Sequence, residues 1–140
     1  MKDEAQSSES PADLGVRTKQ YALRAIKAFS ALPKSTVARV LGGQMLRSAT
    51  SVGAHYREAR RAKSDADFVS KIEGALQELD ETAYWLELIA ESGTIKFSRL
   101  QPLLAETEEL IAILVSITRK TKRRRHQKND PETDTSDPTE

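Results

Sequence analysis

The chain has no cysteine among its 140 residues. That excludes a disulfide-stapled scaffold, a thiolate metal site and a cysteine nucleophile. A reducing interior suits such a composition, so a cytoplasmic location is expected. No apolar run approaches the roughly 20 residues of a membrane-crossing helix, and no membrane is expected as a partner. The stretch from Met1 to Pro11 is polar and acidic, unlike a secretory signal. Aromatic residues make up only 5% of the chain. Strict polar–apolar alternation never persists, so no strand is expected. Gly42-Gly43-Gln44 lacks the spacing and the Lys-Ser/Thr pair of a phosphate-binding loop. The two histidines, His55 and His126, belong to no Glu-x-x-His pair. The acids Glu78, Asp80, Glu81, Glu87 and Glu91 therefore do not read as a di-metal carboxylate site. His55 reads instead as a hydrogen-bonded residue on a helix flank, paired with Glu58 or with an acid of the third helix. No Ser-His-Asp arrangement can be assembled either. A non-catalytic protein with no metal and no cofactor is expected.

What the chain does have is charge, 31% of its residues, and apolar residues at helical spacing. Four helical segments are predicted between polar, acidic tails at 1–13 and 126–140. The first spans about 16–32, with Ala22, Ala25, Ile26, Phe29 and Leu32 on one stripe and Pro33 as its stop. The second spans about 35–62, capped by Ser35. Its inner face is marked by Leu41, Met45, Ser48, Val52 and His55 or Tyr56. Gly42-Gly43 is a point where it is expected to kink or break. The third spans about 65–91, with Ser64 as cap and Asp65 and Asp67 in the first turn. Its stripe is Phe68, Ile72, Ala75, Leu79, Ala83, Leu86 and Ala90, and Gly93 suits a left-handed cap. The fourth spans about 99–122. It begins either at a Ser98-to-Gln101 capping box or at Pro102 as first helical residue, and carries Leu103, Thr107, Leu110, Leu114 and Ile117 at heptad spacing. Short connections force long helices to pack antiparallel. The expected fold is all-α, an antiparallel up-and-down four-helix bundle over residues 14–125.

The near-neutral total of +1 conceals strong segregation. Residues 17–63 carry a net +10, 64–118 a net −8, 119–128 a net +7 and 129–140 a net −5. In the expected topology the second and fourth helices run parallel. Arg57, Arg60, Arg61 and Lys63 would then share one end of the bundle with Arg119, Lys120, Lys122, Arg123, Arg124 and Arg125. Such a surface suits phosphates, which bind with release of counterions. Cations at helix C-termini also complement the helix dipole, and an acidic tail could fold back on Arg123 to Arg125. Without aromatics interleaved among the cations, base stacking is not expected and contact should be backbone-directed. Separately, Tyr84-Trp85-Leu86-Glu87-Leu88-Ile89 is more apolar than one buried face requires. Tyr84, Trp85, Leu88 and Ile89 are therefore candidates for an oligomer interface.

The stretch Arg47-Ser48-Ala49-Thr50-Ser51-Val52-Gly53-Ala54-His55-Tyr56-Arg57-Glu58-Ala59 resembles the intervening-sequence protein family. Ser64, Asp67-Phe68, Lys71, Ala75, Glu78, Glu81-Thr82 and Tyr84-Trp85-Leu86 follow in the same order and spacing. These small four-helix proteins are encoded within insertions in bacterial large-subunit ribosomal RNA genes. Family members usually carry Asn where this chain has His55. The resemblance implies a ring of five bundles. Through a distant branch, the accessory variability proteins of diversity-generating retroelements, it implies nucleic-acid handling beside a reverse transcriptase. The function expected is a homopentameric scaffold whose basic surface binds RNA or DNA. The alternatives are a module that binds a partner protein and an accessory subunit of such a reverse transcriptase.

Overall fold

The structure, a computed structural model, describes residues 9–128, most of them helical. The remainder of the expected tails, 1–8 and 129–140, lies outside the described residues. Helix α1 is Pro11–Ser30, α2 is Thr36–Arg60, α3 is Asp65–Glu91 and α4 is Phe97–Lys128. Neighbours in sequence pack as neighbours in space, and α4 returns to touch α1, closing an antiparallel four-helix bundle.

Local chemistry explains most of the ends. Helix α1 starts inside the stretch expected to be tail. Asp13 N donates to Ser10 Oγ at 3.1 Å and Ser10 N to Asp13 Oδ2 at 3.4 Å. That capping box, with Pro11 at the first helical position, starts the helix five residues before Val16. Ser35 and Ser64 cap α2 and α3 through Ala38 N at 3.1 Å and Asp67 N at 3.0 Å. Gly93, at φ +76°, supplies the left-handed residue after α3. Helix α4 overrides both of its candidate starts. It begins at Phe97, so Ser98 is no cap and Pro102 lies inside the helix. Leu100 and Leu103 are buried, and seating both on one helical face requires the earlier start. The missing Pro102 N–H leaves only the carbonyl of exposed Ser98 without a helical donor.

Helix α2 runs unbroken through Gly42-Gly43, against expectation. The two glycines differ in kind. A Cβ on Gly42 would sit 2.6 Å from Leu32 Cδ1 and 3.0 Å from Phe29 Cδ1, whereas a Cβ on Gly43 would meet nothing within 4 Å. Gly42 thus allows the end of α1 to close on α2, and packing there offsets the propensity cost.

The core joins aliphatic layers to a belt of hydroxyls. Tyr21, Met45, Ile72, Leu79, Leu86, Leu110 and Leu114 are fully buried. Ser48 and Thr82 meet at 2.7 Å across α2 and α3, and Tyr21 and Thr107 meet at 2.6 Å across α1 and α4. Thr107 donates to Leu103 O at 2.8 Å, so Tyr21 is the donor to Thr107. Thr82 likewise donates to Glu78 O at 2.8 Å. Every member is satisfied, which a buried polar group requires. These pairings rotate α1 away from the expected stripe. Leu14, Thr18, Tyr21, Ala25 and Leu32 turn inward, and Ile26 is 45% exposed. Hydroxyls with partners displaced an isoleucine that a purely apolar reading places inside.

The α1–α4 contact is the thinnest of the bundle, and Arg17 reinforces it. Its Nε reaches Glu106 at 2.7 Å, Nη2 reaches Glu109 at 2.6 Å and Nη1 reaches Glu9 at 3.0 Å. The hydrogen bonds that Arg17 donates to Glu106 outweigh desolvation, and the guanidinium pKa is pushed above its ordinary value.

Two outcomes follow. Gly43→Ala should stabilise the protein by about 0.5–1 kcal/mol through helix propensity. Gly42→Val should destabilise it by about 1–3 kcal/mol through overpacking. Urea unfolding monitored by circular dichroism reads both. Burial pushes the Tyr21 pKa up to about 12. A raised folded-state value means that its contribution is complete below the ordinary tyrosine range, near pH 10, and is lost as pH climbs toward 12. Alkaline titration of stability should show that loss, on the order of 2 kcal/mol, and Tyr21→Phe should flatten it.

Candidate nucleic-acid interface

The cations expected to gather do so because of the connections. Arg61 to Ser64 is the whole link between α2 and α3, so α2 and α4 end at the same face of the bundle. There Arg60 and Lys63 of the α2 end and Lys120 and Arg124 of α4 line one cleft of about 670 Å³. Arg57, Arg61, Arg119 and Arg123 are exposed outside its lining, and Arg125 is half-buried. Two members of the set are engaged within the bundle. Lys122 reaches Glu73 at 2.9 Å and Arg124 reaches Asp65 at 3.2 Å, both pairs largely exposed. Pairs of that kind contribute only about 0–1 kcal/mol, so an incoming phosphate can compete for either cation. The proposed fold-back of the acidic tail lies outside the described residues.

The cleft also holds what the sequence reading did not place there. Leu14, Tyr56, Ala59, Phe68 and Ile117 line it, with the carboxylates Glu9 and Asp65. Two aromatics thus stand among the cations in space, although no aromatic is interleaved with the C-terminal cluster in sequence. The signal was present in part: Tyr56 precedes Arg57 and Arg60 by one and four positions, and Phe68 lies one turn beyond Ser64. Tyr56 is buried and its hydroxyl donates to Pro11 O at 2.9 Å. That bond ties the end of α2 to the start of α1 and fixes one wall. Burial raises the Tyr56 pKa, partly offset by Arg60.

The candidate interface residues divide. Tyr84 is 55% exposed and packs edge-on against Trp85, with ring centroids 5.2 Å apart. Trp85 and Leu88 are half-buried. Ile89 is a correction: it is completely buried in the core of its own chain. It lies on the stripe of Ile72, Leu79 and Leu86, which the bundle alone already covers. Val37 and Val40 of α2, missed in sequence, are 51% and 59% exposed. The antiparallel register set by Ser48 and Thr82 brings them level with the last turn of α3, beyond Tyr84 and Leu88.

His55 has the neighbours expected of it but not the bonds. Its Nδ1 lies 3.8 Å from Glu58 and its Nε2 3.7 Å from Glu78, beyond hydrogen-bond range. A Cβ on Gly74 would come within 3.0 Å of His55 Nδ1. The imidazole therefore sits over Gly74, where a Cβ would make a tight contact with it.

No helix of the described residues is long and apolar enough to cross a membrane. Among curated proteins, none matches the chain. A crystal structure of a protein of unknown function from the S23 ribosomal protein family of Bacteroides thetaiotaomicron superposes with a TM-score of 0.73 at 33% identity. The match covers 78% of this chain and 97% of that one. The family model for 23S rRNA-intervening sequence proteins matches residues 14–116. With the bundle, its caps and the Arg47-to-Leu86 pattern in agreement, the chain belongs to the 23S rRNA-intervening sequence protein family.

Proposed function

We propose that the protein is a non-catalytic, self-assembling helical scaffold whose basic end binds nucleic acid. The observation that carries this reading is the convergence of Arg60, Lys63, Lys120 and Arg124 on one cleft at the shared end of α2 and α4. Arg57, Arg61, Arg119 and Arg123 extend the same surface beyond the cleft. Their chemistry is phosphate contact and counterion release. Helix α4 adds to it by running to Lys128, which carries its last cations past the final buried residue, Thr121.

Self-assembly is supported by the exposed apolar group of Val37, Val40 and Tyr84 beside half-buried Trp85 and Leu88. Trp85 Nε1 is buried yet finds no acceptor among the described residues. Five copies, as the resemblance implies, would repeat the basic end around a ring. The same apolar group also favours a second reading, in which it seats a partner protein.

Labelled RNA and DNA oligonucleotides, titrated by fluorescence anisotropy across a salt series, test the proposal. Affinity should fall steeply with salt. Replacing Arg123, Arg124 and Arg125 with Ala should lower the slope of log affinity against log salt by about 2–3. Absence of binding near 50 mM salt, the low end of the usual series, would overturn the nucleic-acid reading. Light scattering on the same samples should show a mass several times that of one chain, reduced by Val40→Ser with Tyr84→Ser. A monomeric mass for the unaltered protein would remove the assembly.

A further inference from the structure

The cleft at the basic end is more than a patch of positive charge, and its composition narrows the kind of nucleic acid it suits. We infer that it takes an unpaired nucleotide, with the base on the apolar floor and the phosphate on the cationic rim. This rests on the nucleic-acid reading above and deepens it from phosphate contact to recognition of single strands.

Three features combine. The floor is apolar and partly aromatic: Leu14, Tyr56 and Ala59 form its buried base, and Phe68 and Ile117, only half-buried, retain accessible surface in the cleft. Bases stack on such surfaces whatever their identity. The rim carries Arg60, Lys63, Lys120 and Arg124, enough for one phosphate and its neighbours along a strand. The third feature is the pair of carboxylates, Glu9 and Asp65. Each is already neutralised, Glu9 by Arg17 at 3.0 Å and Asp65 by Arg124 at 3.2 Å. A carboxylate accepts hydrogen bonds from the exocyclic amines of bases. A volume of about 670 Å³ is within the range of small-molecule pockets.

A duplex cannot use this floor. Its bases are paired and stacked inside, so only its phosphates reach the rim. A single strand offers both phosphate and base. The structure therefore leads to a preference for single strands over duplex at equal salt, located at the cleft and separable from the phosphate contacts of Arg119 and Arg123 outside it.

The test uses the full chain and labelled RNA and DNA of about 12 nucleotides, within the usual site sizes, as single strands and as duplexes of the same sequence. Single strands should bind about tenfold more tightly, the effect of roughly one stacked base. Ala62→Trp, which fills the cleft, and Phe68→Leu, which removes the ring but keeps apolar volume, should each bring single strands down to the duplex value and leave the duplex value unchanged. Thermal melts confirm that both variants fold. Should neither fold, competition on the unaltered protein decides. Nucleoside monophosphates should displace the single strand at severalfold lower concentration than inorganic phosphate. Equal affinity for single strand and duplex, a preference that survives in folded variants, or equal competition by inorganic phosphate overturns the cleft inference and leaves the phosphate-binding surface intact. Failure of both forms to bind at low salt overturns the two together.

Discussion

The turn from Arg61 to Ser64 constrains everything else in this molecule. Only four residues separate two helices of 25 and 27 residues. They must fold back on each other, and the α2–α3 contact is the most extensive in the bundle. Ser48, Ala49 and Val52 on one side and Ala75, Leu79 and Thr82 on the other are all fully buried. Several of these are small, so the backbones approach closely and the hydroxyls of Ser48 and Thr82 meet. That contact fixes the register, and the register fixes which charges become neighbours. Helices α2 and α4 then run in the same direction, and two clusters some sixty positions apart in sequence become one surface.

Gathering cations at one end costs stability through like-charge repulsion. The bundle offsets part of this cost by placing acids next to the cluster. Asp65 and Glu73, on α3, face Arg124 and Lys122, and Glu9 stands at the cleft wall on Arg17. Asp65 also lies at the start of α3, where a negative charge favours the helix dipole. One carboxylate thus stabilises a helix start and partly screens the cation cluster. The other end of the bundle exposes Val37, Val40 and Phe97 among further cations, Arg24, Lys27 and Arg99 along one groove and Lys34 and Arg39 along another.

The bundle itself was legible in the sequence because its signals are local. Helix periodicity, the serine caps at 35 and 64 and the glycine at 93 each act within a turn or two. What was not legible depended on partners from distant segments. Tyr21 lies off the expected stripe of α1, and only Thr107, across the bundle, gives its hydroxyl a partner; its burial sends Ile26 outward. Gly42 read as a weak point because helix propensity is local, whereas its purpose is set by Leu32 and Phe29. Ile89 read as surplus apolar surface because Leu88 beside it obscured the stripe. The site was half legible. Charge segregation and topology placed the cations together, but the apolar floor beneath them joins Leu14, Tyr56, Phe68 and Ile117, one from each helix. No sequence window contains that combination.

The length of α4 bears on why the cations are there at all. Dipole complementation accounts for one or two positive residues in a final turn, each contributing about 0.3–1 kcal/mol. Residues 119–128 carry seven. After Thr121 no described residue is buried, so about seven residues of helix, roughly 10 Å, extend past the last core contact. Like charges three and four apart along that extension, such as Lys122 with Arg125 and Arg124 with Lys128, weaken the helix. An extension that buries little and repels itself does not add to the stability of the bundle. On the proposed reading its cost would be recovered when a polyanion lies along it, because the repulsion that opposes the helix alone would become attraction for the ligand. The extension would then supply salt-dependent attraction for a phosphate backbone, with Arg124 shared between it and the cleft.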